Sequence, residues 1–415
     1  MSILIKNVLL NEEETDIYIE GNLIEKIEKN INYKADNFID GKNKAIIPSF
    51  VNSHTHAAMT LLRGYADDMQ VKEWLEKKIW PLEAKLSEED IYWGAKFACL
   101  EMIKSGTTLF NDMYWHFHGT AKAVEEMGIR AIISSVIIDF FDEKKLKEQI
   151  EINKRLFEEA KQYSKRITFA LGPHSIYSNS EEALRWAKKF ADENKLLIHI
   201  HLSESKNEVE ECIKKYKMRP AEFLESIKFL GPNVIAAHSI WLDEKEIKIL
   251  RKNDVKIAYN PTSNMKLSSG ILPYEKLKSA GLTLTLGTDG CASNNNLDML
   301  EEMKFASLLQ KINTGNPTSA LAKDIFNMAT INGAEALRIN CGKIEERRLA
   351  DFLLIDLKNI YLNPQSNLIS NLVYSANSEC IDSTICDGKI LMQNRKVKGE
   401  EDIVKKINEI YKKLI

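Results

Sequence analysis

Between residues 46 and 340, eight short apolar runs alternate with segments of helical period, and this alternation leaves few folds open to the chain. The runs cover 46–52, 107–112, 130–138, 167–171, 196–202, 234–238, 255–260 and 282–289. Most are apolar almost throughout, as expected of strands buried on both faces. Helical segments between them begin at N-cap residues followed by acidic first turns, such as Ser87, Ser180 and Asp243. Eight such units close naturally into a (β/α)8 barrel. A doubly wound open sheet shares the periodicity but rarely carries ligand-type residues at the ends of so many separate strands.

The two ends of the chain read differently. Residues 1–45 and 342–397 hold short alternating strands with turn signals, Glu20-Gly21-Asn22 and Asp387-Gly388-Lys389. Neither end can bury a core alone, so they are expected to pair into one small β-sandwich-like domain beside a catalytic barrel spanning 46–341. Residues 398–415 read as a terminal amphipathic helix.

Among 415 residues the charges nearly balance, for a formal net charge of -3, which supplies no electrostatic footprint for nucleic acid or an anionic membrane. The expected partner is a small molecule, with homo-oligomerisation left open. Cys99, Cys212, Cys291, Cys341, Cys380 and Cys386 form no Cys-x-x-Cys pair, so reduced thiols are expected. The apolar N-terminal run is short and meets Glu12-Glu13-Glu14 at once, unlike a signal peptide. A cytoplasmic location is the resulting expectation.

Four of the runs end in residues that carry chemistry. His54 and His56 close the first in Asn52-Ser-His-Thr-His, a spacing that turns both rings to one side of a strand. The fifth ends in His199-Ile-His-Leu-Ser-Glu204, where His201 is a third imidazole and Glu204 a carboxylate just beyond the strand. His199 shares the face of His201 and so could compete as a ligand, but it sits one layer deeper, where a packed, hydrogen-bonded role is the expectation. His238 ends the sixth run, and Asp289 the eighth, between Gly287 and Gly290, which allow close approach of backbone and ligand.

His54, His56, His201 and Asp289 make a metal-ligand set that leaves a coordination position open, the mark of a catalytic site. Zn2+ suits it, as do Fe2+ and Mn2+. The chemistry is hydrolysis by activated water. Asp289 and His238 would orient and deprotonate that water, and Glu204 would protonate the group that accepts electrons.

With these motifs in this order, the chain resembles the amidohydrolase superfamily over nearly its whole length. Within it, the chain looks similar to the methylthioadenosine/S-adenosylhomocysteine deaminases and their chlorohydrolase-like relatives. The resemblance implies an adenosine-derivative deaminase releasing ammonia. It matches Glu83 to the glutamate that holds the ribose hydroxyls, His174 to a histidine that contacts the nucleoside, and Glu204 and Asp289 to catalytic positions that also touch substrate. The fourth run lacks the lysine that binuclear relatives carbamylate, so one ion per subunit is implied. No His-x-Glu and Pro-Cys-x-x-Cys pair is present, which excludes the cytidine-deaminase type.

One departure bears on the substrate. Ser134 or Ser135 stands where relatives acting on S-adenosylhomocysteine carry arginine, and Lys144 or Lys145 offers only a looser charge. Methylthioadenosine or 5'-deoxyadenosine is therefore the preferred expectation over S-adenosylhomocysteine. Arg347 replaces a usual glycine, with a local structural consequence expected. Competing readings are guanine, pterin or cytosine deamination, triazine dechlorination, and a catalytically silent binding protein; Glu83 favours the nucleoside.

Overall fold

The computed structural model describes residues 1–69 and 71–414. Its strands are β1 (Ser2–Leu10), β2 (Glu13–Glu20), β3 (Leu23–Glu28), β4 (Asn37–Asp40), β5 (Lys44–Pro48), β6 (Phe50–Thr55), β7 (Thr107–Tyr114), β8 (Arg130–Ile137) and β9 (Ile167–Pro173). They continue with β10 (Ile198–Leu202), β11 (Val234–His238), β12 (Lys256–Tyr259), β13 (Leu284–Leu286), β14 (Phe352–Asp356), β15 (Ile381–Cys386), β16 (Lys389–Gln393) and β17 (Lys396–Val397). Strands β6 to β13 pair in sequence order, every pair parallel, into a nearly closed eight-stranded barrel. The remaining nine form one mixed sheet, in which β5 from the N-terminal side pairs antiparallel with β14 from the C-terminal side.

The gap between β13 and β6 is closed largely by side chains and loop backbone. Asn52 receives the Thr288 amide on Oδ1 at 3.1 Å and donates from Nδ2 to Thr288 Oγ1 at 2.7 Å, while the Asp289 amide donates to the His54 carbonyl at 3.0 Å. Gly287 is required at this seam, because a Cβ there would lie 2.5 Å from Asn260 Oδ1 and 2.7 Å from the His54 carbonyl oxygen.

The interior is layered by strand alternation. Val51, Leu109, Ile132, Ala170, Leu197, Ile235 and Ala258 fill the amino-terminal end. Two residues further along lie buried polar or small groups, Asn111, Ser134, Gly172, His199 and Asn260. The next step reaches Met113, Val136, His174 and His201, which line the cavity at the carboxyl ends of the strands.

Two expectations are corrected. The run 46–52 contains parts of two strands: residues 46–48 belong to β5 in the terminal sheet, and the barrel begins at Phe50. Ile46 packs in the core of the terminal sheet and Ile47 in that of the barrel, so β5 is apolar on both faces and periodicity could not separate it from β6. A boundary drawn at 45/46 thus cuts through β5. The segment 342–397 is also not strand throughout, since it contains the helix Leu368–Tyr374, whose Tyr374 hydroxyl lies 2.8 Å from Ser307 Oγ on the helix Met299–Thr314. The last helix, Glu400–Leu414, is tied to the barrel by Lys104 Nζ and Glu400 Oε2 at 2.7 Å.

Candidate active site

The backbone departs from regular strand geometry where the ligand-type residues are delivered. On β6, Asn52 pairs with Phe110 and Thr55 with Asp112, so three steps on one strand meet two on its neighbour. This bulge shifts the parity set by Val51 and lets His54 and His56 face the barrel interior. On β11 the inward parity of Ile235 would send His238 outward. A left-handed conformation at His238 (φ 68°), followed by another at Ser239 (φ 55°), turns the ring into the cavity. Ser203 (φ 50°) and Asp289 (φ 61°) do the same service after β10 and β13. Such conformations cost about 1–3 kcal/mol each and persist where surrounding contacts over-determine them.

Hydrogen bonds to the far side of each imidazole assign its tautomer. His56 Nδ1 donates to the Met113 carbonyl at 2.6 Å, and His201 Nδ1 to the His174 carbonyl at 2.8 Å, leaving the Nε2 lone pairs directed into the site. His54 Nδ1 lies 2.7 Å from His199 Nε2, which gives His199 the supporting role expected of it. The Asp289 carboxylate is held from behind, its Oδ2 accepting from Ser263 Oγ at 2.6 Å and Ser293 Oγ at 3.0 Å. Its Oδ1 then sits 3.3 Å from both His54 Nε2 and His56 Nε2.

These residues fit a divalent ion. His56 Nε2 and His201 Nε2 face each other at 3.3 Å, and His54 Nε2 is buried with no hydrogen-bond partner. Lone pairs opposed in this way repel unless a cation lies among them. Ligands about 2.1 Å from a common ion at tetrahedral angles stand about 3.4 Å apart, close to the separations found. His238 also comes within reach of the cluster. However, its Nδ1 accepts from Asn264 Nδ2 at 2.9 Å, so the hydrogen resides on Nε2, 3.9 Å from Glu204 Oε2.

Burial and neighbouring charge set the protonation states. Burial pulls His54 and His238 down to about 4 and His174 to about 3, so all three rings are neutral. Burial alone would raise Asp289, but the imidazoles of His54, His56 and His238 clustered against it outweigh that and hold the carboxyl well below its ordinary value. Glu204 goes the other way, pushed up to about 8 by burial and then by the Asp289 charge, so it carries a proton at neutral pH. Burial also raises Glu83, partly offset by the Tyr114 hydroxyl, which donates to its Oε1 at 2.7 Å.

One cavity is lined by His56, Glu83, His174, His201, Glu204, His238 and Asp289, which brings together all the site residues singled out by sequence except His54, buried beneath it. Past Trp80, Glu83 and Tyr114 the cavity runs into a wider groove that includes Ser135, Gln149 and Arg155. Ser134 does not reach that groove, since its hydroxyl donates to Asn111 Oδ1 inside the barrel at 3.3 Å. Lys145 lies over the Phe140 ring, 5.4 Å from its centroid. Arg155, which sequence reasoning passed over, is 3.8 Å from Glu159. Also missed were Asn264, Ser263 and Ser293. The run Asn260-Pro-Thr-Ser-Asn264 after the seventh strand could have drawn attention as a polar stretch at a strand end.

Comparison with known proteins agrees with this geometry. A model of the Amidohydrolase family matches residues 45–391. The chain is 51% identical to the 5-methylthioadenosine/S-adenosylhomocysteine deaminase of Thermococcus sibiricus, covering 94% of each sequence. It is 46% identical to the 5'-deoxyadenosine deaminase of Methanothermobacter thermautotrophicus, covering 93% of this chain and 91% of the relative. Among solved structures, an adenosine deaminase from Xanthomonas campestris with bound zinc superposes with a TM-score of 0.94 at 28% identity, covering 100% of this chain and 98% of the other.

Proposed function

The chain belongs to the amidohydrolase family, and from that premise we infer that it is a metal-dependent hydrolase which deaminates 5'-substituted adenosines to the inosine derivatives and ammonia. The observation that carries this reading is the convergence of Glu83, Glu204 and Asp289 on one cavity beside the imidazole cluster. A diol partner, a protonated acid and an ionised base are what nucleoside deamination requires of a protein. Free-base deamination gives Glu83 nothing to hold.

His54, His56, His201 and Asp289 would hold one ion, for which zinc is our assignment. A zinc-like ion bound there lowers the pKa of water to about 7 and so makes hydroxide available at neutral pH. Glu83 accepts hydrogen bonds from the ribose hydroxyls, and Tyr114 fixes its orientation. His174 contacts the nucleoside from the end of the fourth barrel strand. His238, with a hydrogen on Nε2, orients the attacking water, and Asp289 receives the proton that water gives up. As oxygen attacks the amino-bearing ring carbon, Glu204 delivers its proton to the adjacent ring nitrogen. Asp289 passes its proton to the amine, the added hydroxyl returns a proton to Glu204, and cleavage of the carbon–nitrogen bond releases ammonia and leaves the ring carbonyl.

For the 5' substituent we propose an uncharged group, as in methylthioadenosine or 5'-deoxyadenosine. Glu159 supports this, because it lies in the same groove 3.8 Å from Arg155 and opposes capture of a carboxylate there. Among the described residues no helix is long and apolar enough to cross a membrane, and all six cysteines are free and buried. A cytoplasmic enzyme acting on a diffusible nucleoside, with no nucleic-acid partner, is the reading we adopt.

Substitution of Glu83 tests the diol contact. Glu83→Gln is expected to lower kcat/KM on 5'-deoxyadenosine by about 10- to 100-fold, the scale of hydrogen bonds to a charged group. The same variant should process an analogue lacking the 2' and 3' hydroxyls at the wild-type rate. An equal loss on both substrates would contradict the assignment.

A further inference from the structure

Glu204 must project from the turn after β10, and that turn is held by a carboxylate that no step above uses. Glu208 lies at the third position of the helix Lys206–Tyr216, whose N-cap Ser205 accepts the Glu208 amide at 3.2 Å. A glutamate at that position ordinarily reaches back to the amide of the N-cap residue itself. Here it reaches further. Glu208 Oε1 accepts from the Ser203 amide and Oε2 from the Glu204 amide, each at 2.8 Å.

The bonded backbone is the strained part of the turn, since Ser203 has φ 50°. Its carbonyl is fixed as well, accepting from the amides of Ile240 at 3.1 Å and Trp241 at 3.0 Å in the loop that follows His238. Glu208 is 4% exposed, so water cannot easily replace these bonds. We propose that Glu208 is a positioning residue, whose two carboxylate oxygens lock the Ser203–Glu204 backbone so that the Glu204 carboxyl points into the cavity. The proposal rests on the reading of Glu204 as proton carrier.

Glutamine at 208 keeps shape but sets an amide NH2 against one of the two N–H groups. The experiment measures kcat, KM, metal content and melting temperature for Glu208→Gln, Glu204→Gln and the double variant. A misplacement of about 1 Å at a reacting group costs about 10²-fold, so Glu208→Gln is expected to lower kcat by about that factor. KM and metal content should stay within about twofold, because Glu208 itself lines neither the cavity nor the ion site and the displaced Glu204 acts mainly in the proton-transfer step. In the Glu204→Gln background the second substitution should change nothing further, since its effect passes through Glu204.

An unchanged kcat in Glu208→Gln, or the same loss with Glu204 already removed, overturns the proposal. Should Glu208→Gln not fold, Glu208→Asp takes its place, keeping the carboxyl group but drawing it back by one methylene, with the same outcomes expected. If neither folds, Glu208 serves stability and the proposal fails. Full turnover in Glu204→Gln alone would instead refute the proton-carrier reading.

Discussion

Replacing Glu204 with glutamine is expected to lower kcat by roughly 10²- to 10⁴-fold, the range supplied by a positioned general acid. Glutamine matches the carboxyl in size and can still donate a hydrogen bond, but it cannot transfer its proton to the ring. The carboxyl is protonated at neutral pH, because burial and the Asp289 charge push it up to about 8. Replacing it by a neutral amide therefore changes the charge of the site little. Metal content should be unchanged, since Glu204 is not among the four residues assigned to the ion. Steady-state kinetics together with elemental analysis check both expectations, and a variant that kept wild-type turnover would remove Glu204 from proton transfer.

The second large effect lies at the opposite end of the barrel, where Arg130 joins the two sheets. Its Nε donates to Asp351 Oδ2 at 3.1 Å and its Nη2 to Asp387 Oδ1 at 2.9 Å, and the Asp351 side chain is fully buried. Arg130→Met would preserve bulk while leaving Asp351 charged and without its cation. Removing one partner of a buried pair costs about 3–5 kcal/mol. Part of the Asp387 charge would still be met by Arg166 at 3.7 Å, which places the expected loss toward the lower end. Replacing Asp351 by leucine as well should recover most of the loss, because an apolar pair has no charge to compensate. Denaturant midpoints and slopes for the single and double variants measure this, and activity per folded molecule should be unaffected.

How much of this was legible in the sequence depends on the distance over which each feature is determined. The eight barrel strands could be read from local apolar runs, and His54, His56, His201, His238 and Asp289 from their places at the ends of those runs. The residues that orient them could not be paired with them, because they lie on other elements of the chain. His56 is pinned by Met113, His201 by His174, and His238 by Asn264. Alternation predicted that His201 faces inward, and it does. The same rule applied to His238 would have turned it outward, and a left-handed residue reverses it. Arg130 and Asp351 are 221 positions apart, so nothing local connects them. The strand β5 escaped for a different reason. Ala45, Ile46 and Ile47 are all apolar, since each face of β5 meets a different core, and periodicity is silent where both faces are buried.

Glu83 lies outside the barrel strands, and its place in the site came from resemblance. In the structure it stands at the junction of the catalytic cavity and the outer groove, its carboxylate held by Tyr114. On the proposed reading, that placement would orient the nucleoside with the base over the ligand cluster and the 5' substituent directed toward the groove past Ser135. Under the same proposal, selection among 5' groups would fall to groove residues such as Gln149 and Arg155, away from the chemistry.

The central claim is that this site deaminates a nucleoside, and ammonia release from a substrate panel tests it most directly. The purified, zinc-reconstituted protein is to be given methylthioadenosine, 5'-deoxyadenosine, S-adenosylhomocysteine, adenine, guanine and cytosine, with ammonia and purine products measured together. The account predicts equimolar ammonia and inosine derivative from the 5'-substituted adenosines, with kcat/KM higher for the two uncharged ones than for S-adenosylhomocysteine, and no turnover of the free bases. Activity confined to free bases would contradict it.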